Sequence, residues 1–281
     1  MKILLVNKYL YRKGGAETYF IKLGEYLKSL GNEVEYFGMA DERNCVGNRV
    51  EAYTENIDFH KKSLKHITYP FKIIYSVNAR KQIRKVLSDF KPDVVHLNNF
   101  NYQLTPSIIY EIKKHNIPIV YTAHDVQLVC PNHKLKNDYT DGLCRKCDGG
   151  KYFECVKNNC VHSSKIRSIL GAVEAWYYKL RHTYKMIDLT VCPSEFMEKE
   201  ISRNDDINGR TVTMYNFIDE IKPLGAECEN YVLYFGRYSE EKGISNLVKA
   251  AKKLSNIPFV FAGKGELENE VNSADNIKNV G

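Results

Sequence analysis

No stretch of this sequence approaches the roughly 18 to 20 consecutive apolar residues that a membrane-spanning helix needs, and its start, MKILLVNKYLYRKGG, carries too short an apolar run for the core of a signal peptide. It also lacks internal repeats, low-complexity tracts, the GxGxxG spacing of a dinucleotide fingerprint, and any zinc-finger or RNA-binding signature. Acid is scarce in one place: between His60 and Lys91 a single acidic residue, Asp89, stands against nine Lys or Arg. The chain as a whole has a formal charge of +7, so nearly all of the excess sits in that stretch. These absences leave no candidate for a membrane-spanning helix. They leave a cytoplasmic protein as the expectation, with its eight cysteines reduced or metal-bound rather than paired as a disulfide framework.

What is present is a globular composition, 43% hydrophobic and 12% aromatic over 281 residues, enough for one large domain or two ordinary ones. Short apolar runs alternate with amphipathic ones. KILLV (Lys2 to Val6), EVEYF (Glu33 to Phe37), DVVHL (Asp93 to Leu97), IPIVYTAH (Ile117 to His124), DLTVC (Asp188 to Cys192) and RTVTMY (Arg210 to Tyr215) read as strands. Helices are expected between them, among them one through FKIIYSVNARKQIRKVLSDF (Phe71 to Phe90), one from about Pro106 to His115 and one from Lys165 to Met186. Such alternation predicts an α/β fold, a parallel doubly wound sheet covered on both faces. Residues 216–229 have no sustained period and read as a linker between a domain at 1–215 and a second at 230–281. The second domain opens with YVLYFG (Tyr231 to Gly236), a helix from about Lys242 to Leu254, and PFVFAG (Pro258 to Gly263).

Several groups could carry chemistry. Gly14 and Gly15 lie between the first strand and the first helix, where backbone amides can approach an anion closely. His124 ends a strand at the edge where open parallel sheets bind ligands. In GRYSEEKG (Gly236 to Gly243), Arg237 and Lys242 could clamp a diphosphate, the guanidinium bidentately and the ammonium as a point charge; pairing with Glu240 and Glu241 as surface ion pairs is the competing reading. Arg80, Lys81, Arg84 and Lys85 form one face of the basic helix, either a solvated face or an attraction to an anionic membrane surface through residues 60–91. Nucleic acid is the less favoured partner, because that face has few aromatics spaced for stacking. Cys130, Cys144, Cys147, Cys155 and Cys160, with His133 and His162 close by, fall in a loop at 130–162. They read either as reduced thiols or as ligands of a structural zinc.

Taken in order, GGAE, HDV, CPSEF, NFID, GRYSEEKG and FAGKGE resemble the motif series of the retaining family 4 (group 1) glycosyltransferases, over the whole chain. The resemblance implies a GT-B architecture of two Rossmann-like domains, a UDP- or GDP-type nucleotide-sugar donor, a polysaccharide or lipid-linked glycan acceptor, and transfer with retention and no catalytic metal. It implies a donor site of Gly14, Gly15, Arg237, Lys242, Gly263, Gly265 and Glu266, with His124 beside the transferred sugar and Glu17 and Asn98 on the acceptor side. Many relatives carry a second histidine where this chain has Asn98 in VVHLNN. The family's second domain also runs on to a pair of donor-binding glutamates that this sequence does not reach, so the expectation is an incomplete second domain in a C-terminally truncated chain. Activity at the inner face of the cell membrane, or binding of acceptor, membrane or a partner without catalysis, are the two functions that follow.

Overall fold

The structure is a computed structural model and describes residues 1–56, 69–137, 142–207, 209–218 and 229–281. The linker expected at 216–229 and the basic stretch beginning at His60 therefore fall partly outside the described residues. The chain divides into two compact units, Met1–Ile218 and Asp219–Gly281.

In the first unit, β1 (Lys2–Val6), β2 (Glu33–Phe37), β3 (Val94–Leu97), β4 (Ile119–Thr122), β5 (Leu189–Cys192) and β6 (Thr211–Thr213) form one parallel sheet in the order β2-β1-β3-β4-β5-β6. The order reverses between β1 and β3, so the crevice at their carboxyl ends is a topological switch point. Around the sheet lie α1 (Gly15–Ser29), α2 (Tyr69–Ile74), α3 (Val77–Phe90), α4 (Ser107–Lys114), α5 (Phe153–Lys157), α6 (Lys165–Leu180) and α7 (Glu195–Ile201). The strands read as continuous apolar runs because both faces are covered: Leu4, Leu5 and Val6 are fully buried, as are Val95, Leu97 and Ile119. Each such side chain contributes about 1.5–3 kcal/mol relative to exposure.

Local chemistry explains where the elements stop. The helix expected through Phe71 to Phe90 is broken after Ile74, because the Ser76 hydroxyl accepts from the Ala79 amide and starts α3 anew. The helix expected to reach Met186 ends at Leu180; after His182 in a left-handed conformation (φ 47°) the chain makes a single 3-10 turn at Thr183–Met186. Gly24 on α1 is required by packing, since a Cβ there would lie 2.1 Å from the Tyr36 hydroxyl of β2.

The first unit extends to Ile218 rather than to residue 215, because the Phe217 ring packs on Tyr19, at 5.2 Å between centroids, and on Tyr26 at 6.3 Å. In the second unit β7 (Val232–Phe235), α8 (Ile244–Lys253), β8 (Phe259–Ala262), α9 (Glu268–Val271) and β9 (Ile277–Asn279) form a parallel sheet β7-β8-β9 over a small core of Tyr238, Ile244, Val248, Phe259 and Phe261. Among the described residues, no helix is long and apolar enough to cross a membrane.

Candidate active site

The carboxyl ends of β1, β3 and β4 bring three side chains together: Asn7, Asn98 and His124. The Asn98 amide is donated to the Val6 carbonyl (2.8 Å) and the Asn99 amide to Asn7 Oδ1 (3.0 Å), which locks the ends of β1 and β3 side by side. His124 Nε2 stands 2.9 Å from Asn98 Oδ1. An amide oxygen only accepts, so Nε2 carries the proton and Nδ1 is the bare acceptor of a neutral ring. Burial holds His124 down at about 4, against a smaller opposite pull from Asp125, so the ring is neutral at physiological pH. Asn98 is 1% exposed, yet among the described residues its Nδ2 has no hydrogen-bond partner, a buried donor that a bound polar group would satisfy.

A second layer supports this pair. Tyr19 of α1 meets the His124 ring edge-on at 5.4 Å. His96 Nε2 lies 2.8 Å from Thr122 Oγ1, and burial, then the neighbouring His124, pushes His96 down to about 4. Sequence reasoning placed Asn98 and His124 separately; their contact comes from register, Leu97 pairing beside Tyr121 across β3 and β4.

Beside them lies a polar group that the sequence did not reveal as a set. Lys8 Nζ donates to Asn101 Oδ1 (3.1 Å), Asn101 Nδ2 stands 3.4 Å from His133 Nδ1, and His133 pairs with Asp125 (3.4 Å), whose Oδ1 accepts from the Gln127 amide (2.9 Å). Burial alone would raise Asp125, but His133 and the Gln127 amide outweigh it and hold the carboxyl below its usual range. Burial, then Lys13, lowers Lys8 to about 8. Tyr102 stacks on His133, and Lys8 lies over both the Tyr102 and Tyr9 rings at 4.9 and 5.0 Å. Half-buried Glu174 of α6 lines the same pocket as His133, and burial raises its carboxyl to about 7. HD at 124–125 was the available signal; Lys8 and Asn101 are 93 residues apart in sequence and gave none.

Gly14 is the N-cap of α1, in an extended conformation (φ −163°) with no side-chain cap, and a Cβ added to Gly15 would meet nothing within 4 Å. Among the described residues nothing requires glycine at 15. Glu17 is buried in the first turn of α1. In the second unit Arg237 is exposed and reaches Glu241 only at 4.0 Å, and exposed Lys242 lies in a 3-10 turn (Glu240–Lys242) before α8 rather than at its start. The ion-pair alternative is therefore a weak contact for Arg237. Gly263 (φ 152°) and Gly265 are required by packing: their Cβ atoms would fall 1.9 Å from the Gly236 carbonyl and 2.2 Å from that of Tyr238. Glu266 is exposed beside them.

On the basic helix the expected free face is partly spent. Arg80 and Arg84 are held by the buried Glu111 of α4 at 2.7 and 2.6 Å, which leaves Lys81 and Lys85 exposed.

Comparison with known proteins decides the family. Residues 13–221 match the family described as Glycosyltransferase Family 4, and residues 217–280 match Glycosyl transferases group 1. The chain belongs to glycosyltransferase family 4. Family 4 membership fits the switch-point site and the two parallel-sheet units. A Klebsiella pneumoniae relative, an uncharacterized 42.6 kDa protein in the cps region, is 25% identical over 280 residues, covering 94% of this chain and 68% of that protein. Among solved structures, Anabaena HepE in complex with UDP and glucose is 16% identical with a TM-score of 0.57, over 100% of this chain and 69% of that one. The sucrose-phosphate synthase of Thermosynechococcus elongatus is 14% identical with a TM-score of 0.62, over 100% and 70%. At these identities the likeness shows the fold, a GT-B glycosyltransferase architecture.

Proposed function

We propose that the protein transfers a sugar from a UDP- or GDP-type donor to a hydroxyl of a polysaccharide or lipid-linked glycan, with retention of anomeric configuration and without a catalytic metal. The observation that carries this reading is the Asn98–His124 pair: a neutral imidazole of fixed tautomer and a buried, unsatisfied amide donor at the switch point, suited to hydrogen-bonding an uncharged sugar. The UDP and glucose bound by Anabaena HepE support a nucleotide-sugar donor.

In this mechanism the acceptor hydroxyl attacks on the face from which the diphosphate departs. In the first unit the uncapped amides of α1 behind Gly14 and Gly15 suit charge that grows on a leaving diphosphate; in the second unit, taken by itself, exposed Arg237 and Lys242 are cations suited to bind phosphate oxygens. His124 and Asn98 position the sugar, while Glu17 and the Lys8–Asn101–His133–Asp125 group serve the acceptor side. Lys81 and Lys85 hold the protein at an anionic membrane surface, near a lipid-linked acceptor.

Calorimetric titration with UDP and GDP, followed by transfer assays with a donor panel and a lipid-linked acceptor, tests the reading. Micromolar binding of one nucleotide and an axial or equatorial product linkage matching the donor's is the expected result. Absence of both nucleotide binding and donor consumption overturns it.

A further inference from the structure

The loop between β4 and α6 holds a cluster that sugar transfer does not use. Five cysteines, Cys130, Cys144, Cys147, Cys155 and Cys160, line one small cavity with about 10 Å³ of open space, room for about one atom-sized occupant. All five thiols are free, and Cys155 is 1% exposed. Their spacing is two short pairs, Cys144-x2-Cys147 and Cys155-x4-Cys160, within the two-to-four-residue range of structural zinc knuckles. The backbone of both pairs is already turned: the amides of Gly150 and Lys151 donate to the Cys147 carbonyl (both 3.1 Å), and the Cys160 amide donates to the Cys155 carbonyl (3.1 Å).

We propose that Cys144, Cys147, Cys155 and Cys160 bind one zinc-class divalent cation as a tetrahedral thiolate set. Cys130, the fifth thiol of the same cavity, donates to Asn132 Oδ1 at 2.9 Å and is left as the spare thiol of the set. Asn137 Nδ2 already donates to Cys144 Sγ at 3.2 Å, the N–H···S contact that orients a ligating thiolate from outside. Four thiols surrender four protons to form four metal–sulfur bonds, and the resulting double negative charge lies in a lining that also holds Lys136, Arg145 and Asp148, the last two paired with Glu200 and Arg203. Among the described residues no three His, Cys, Asp or Glu side chains stand as a ready ligand set, so the thiols must draw together on the ion. The backbone that carries them is anchored independently, Arg145 to Glu200, Asp148 to Arg203, and the Gly150 carbonyl to Trp176 Nε1 (2.9 Å). The consequence is a staple on a loop that supplies His133 to the polar group beside the active site.

Protein purified without chelator or immobilised-metal resin should carry about one zinc per chain by elemental analysis. Cobalt substitution should give the visible bands of a tetrahedral thiolate complex. Cys147→Ser and Cys155→Ser should each lose the metal, while Cys45→Ser, an exposed cysteine outside the loop, should keep it. If the cysteine variants fail to fold, cobalt titration of the wild-type chain decides alone. Less than a tenth of an equivalent of zinc together with no thiolate–cobalt bands overturns the proposal, as does full metal retention in Cys147→Ser or loss of these thiols to disulfides under native, reducing-agent-free conditions.

Discussion

His124 Nε2 stands 2.9 Å from Asn98 Oδ1, an atom that only accepts, so Asn98 fixes the tautomer of the imidazole. Imidazole nitrogen NMR should show an Nε2-protonated, neutral ring in the wild type from about pH 5 to 8. Asn98→Ala should give a mixture of tautomers and, by leaving His124 without its acceptor, cost about 1–3 kcal/mol of stability in urea denaturation. An Nδ1-protonated ring in the wild type would falsify the assignment.

Acid should destabilise the fold through the two buried imidazoles. His96 and His124 are held at about 4 when folded against an ordinary 6.5, so between those values the unfolded chain binds more protons than the folded one. Stability is therefore full above pH 6.5 and falls as pH drops toward 4, by on the order of a few kcal/mol for both rings. Glu174, raised to about 7, acts in the opposite sense over part of that window, because its folded carboxyl takes up a proton first. Urea midpoints measured across this range should show a shallower pH slope in His124→Gln than in the wild type; equal slopes would refute the role of His124.

Glu111 is the buried partner of Arg80 and Arg84, which hold its carboxyl at about 2. Glu111→Ala leaves the partly buried Arg80 uncompensated and should cost about 2 kcal/mol, less than a fully buried pair because Arg84 is half exposed. The same change frees two guanidinium groups, so binding to anionic vesicles should rise even as the denaturation midpoint falls. An unchanged midpoint would argue against the ion pairs as they stand.

Two glycine substitutions should separate structure from function. Gly263→Ala forces a Cβ to 1.9 Å from a carbonyl at φ 152°, so the second unit should lose its cooperative unfolding transition in calorimetry. Gly15→Ala meets nothing within 4 Å among the described residues and should leave stability unchanged or raise it by up to about 1 kcal/mol, while nucleotide-sugar turnover drops. Full turnover in a stable Gly15→Ala protein would remove that amide from the donor site.

Much of the fold was legible because apolar runs covered on both faces leave a strong local signal. Among the described residues, eight of the nine strands fall within the segments that hydropathy marked. Element ends were less legible, since they depend on single contacts: the Ser76 hydroxyl on the Ala79 amide divided a helix whose apolar spacing runs on without a break. The site was half legible. His124 and Asn98 could be named from strand ends, but His133 read as a neighbour of cysteines, and only its approach to Asp125 and Asn101 makes it part of the polar group at the sheet edge.

The sequence by itself determined the α/β alternation, the family, and the residue types available for chemistry, because strand and helix periods and glycine turns are written in short windows. Tertiary structure decided which of those residues act together. Strand order put β1 and β3 side by side and so created the switch point; register joined Asn98 to His124; packing set Glu111 against Arg80 and Arg84, so that two expected free cations are bound. The physical reason is common to all three. Pairing across strands and helices, and the desolvation that holds an imidazole neutral, arise between residues tens of positions apart, where no local pattern in the chain records them.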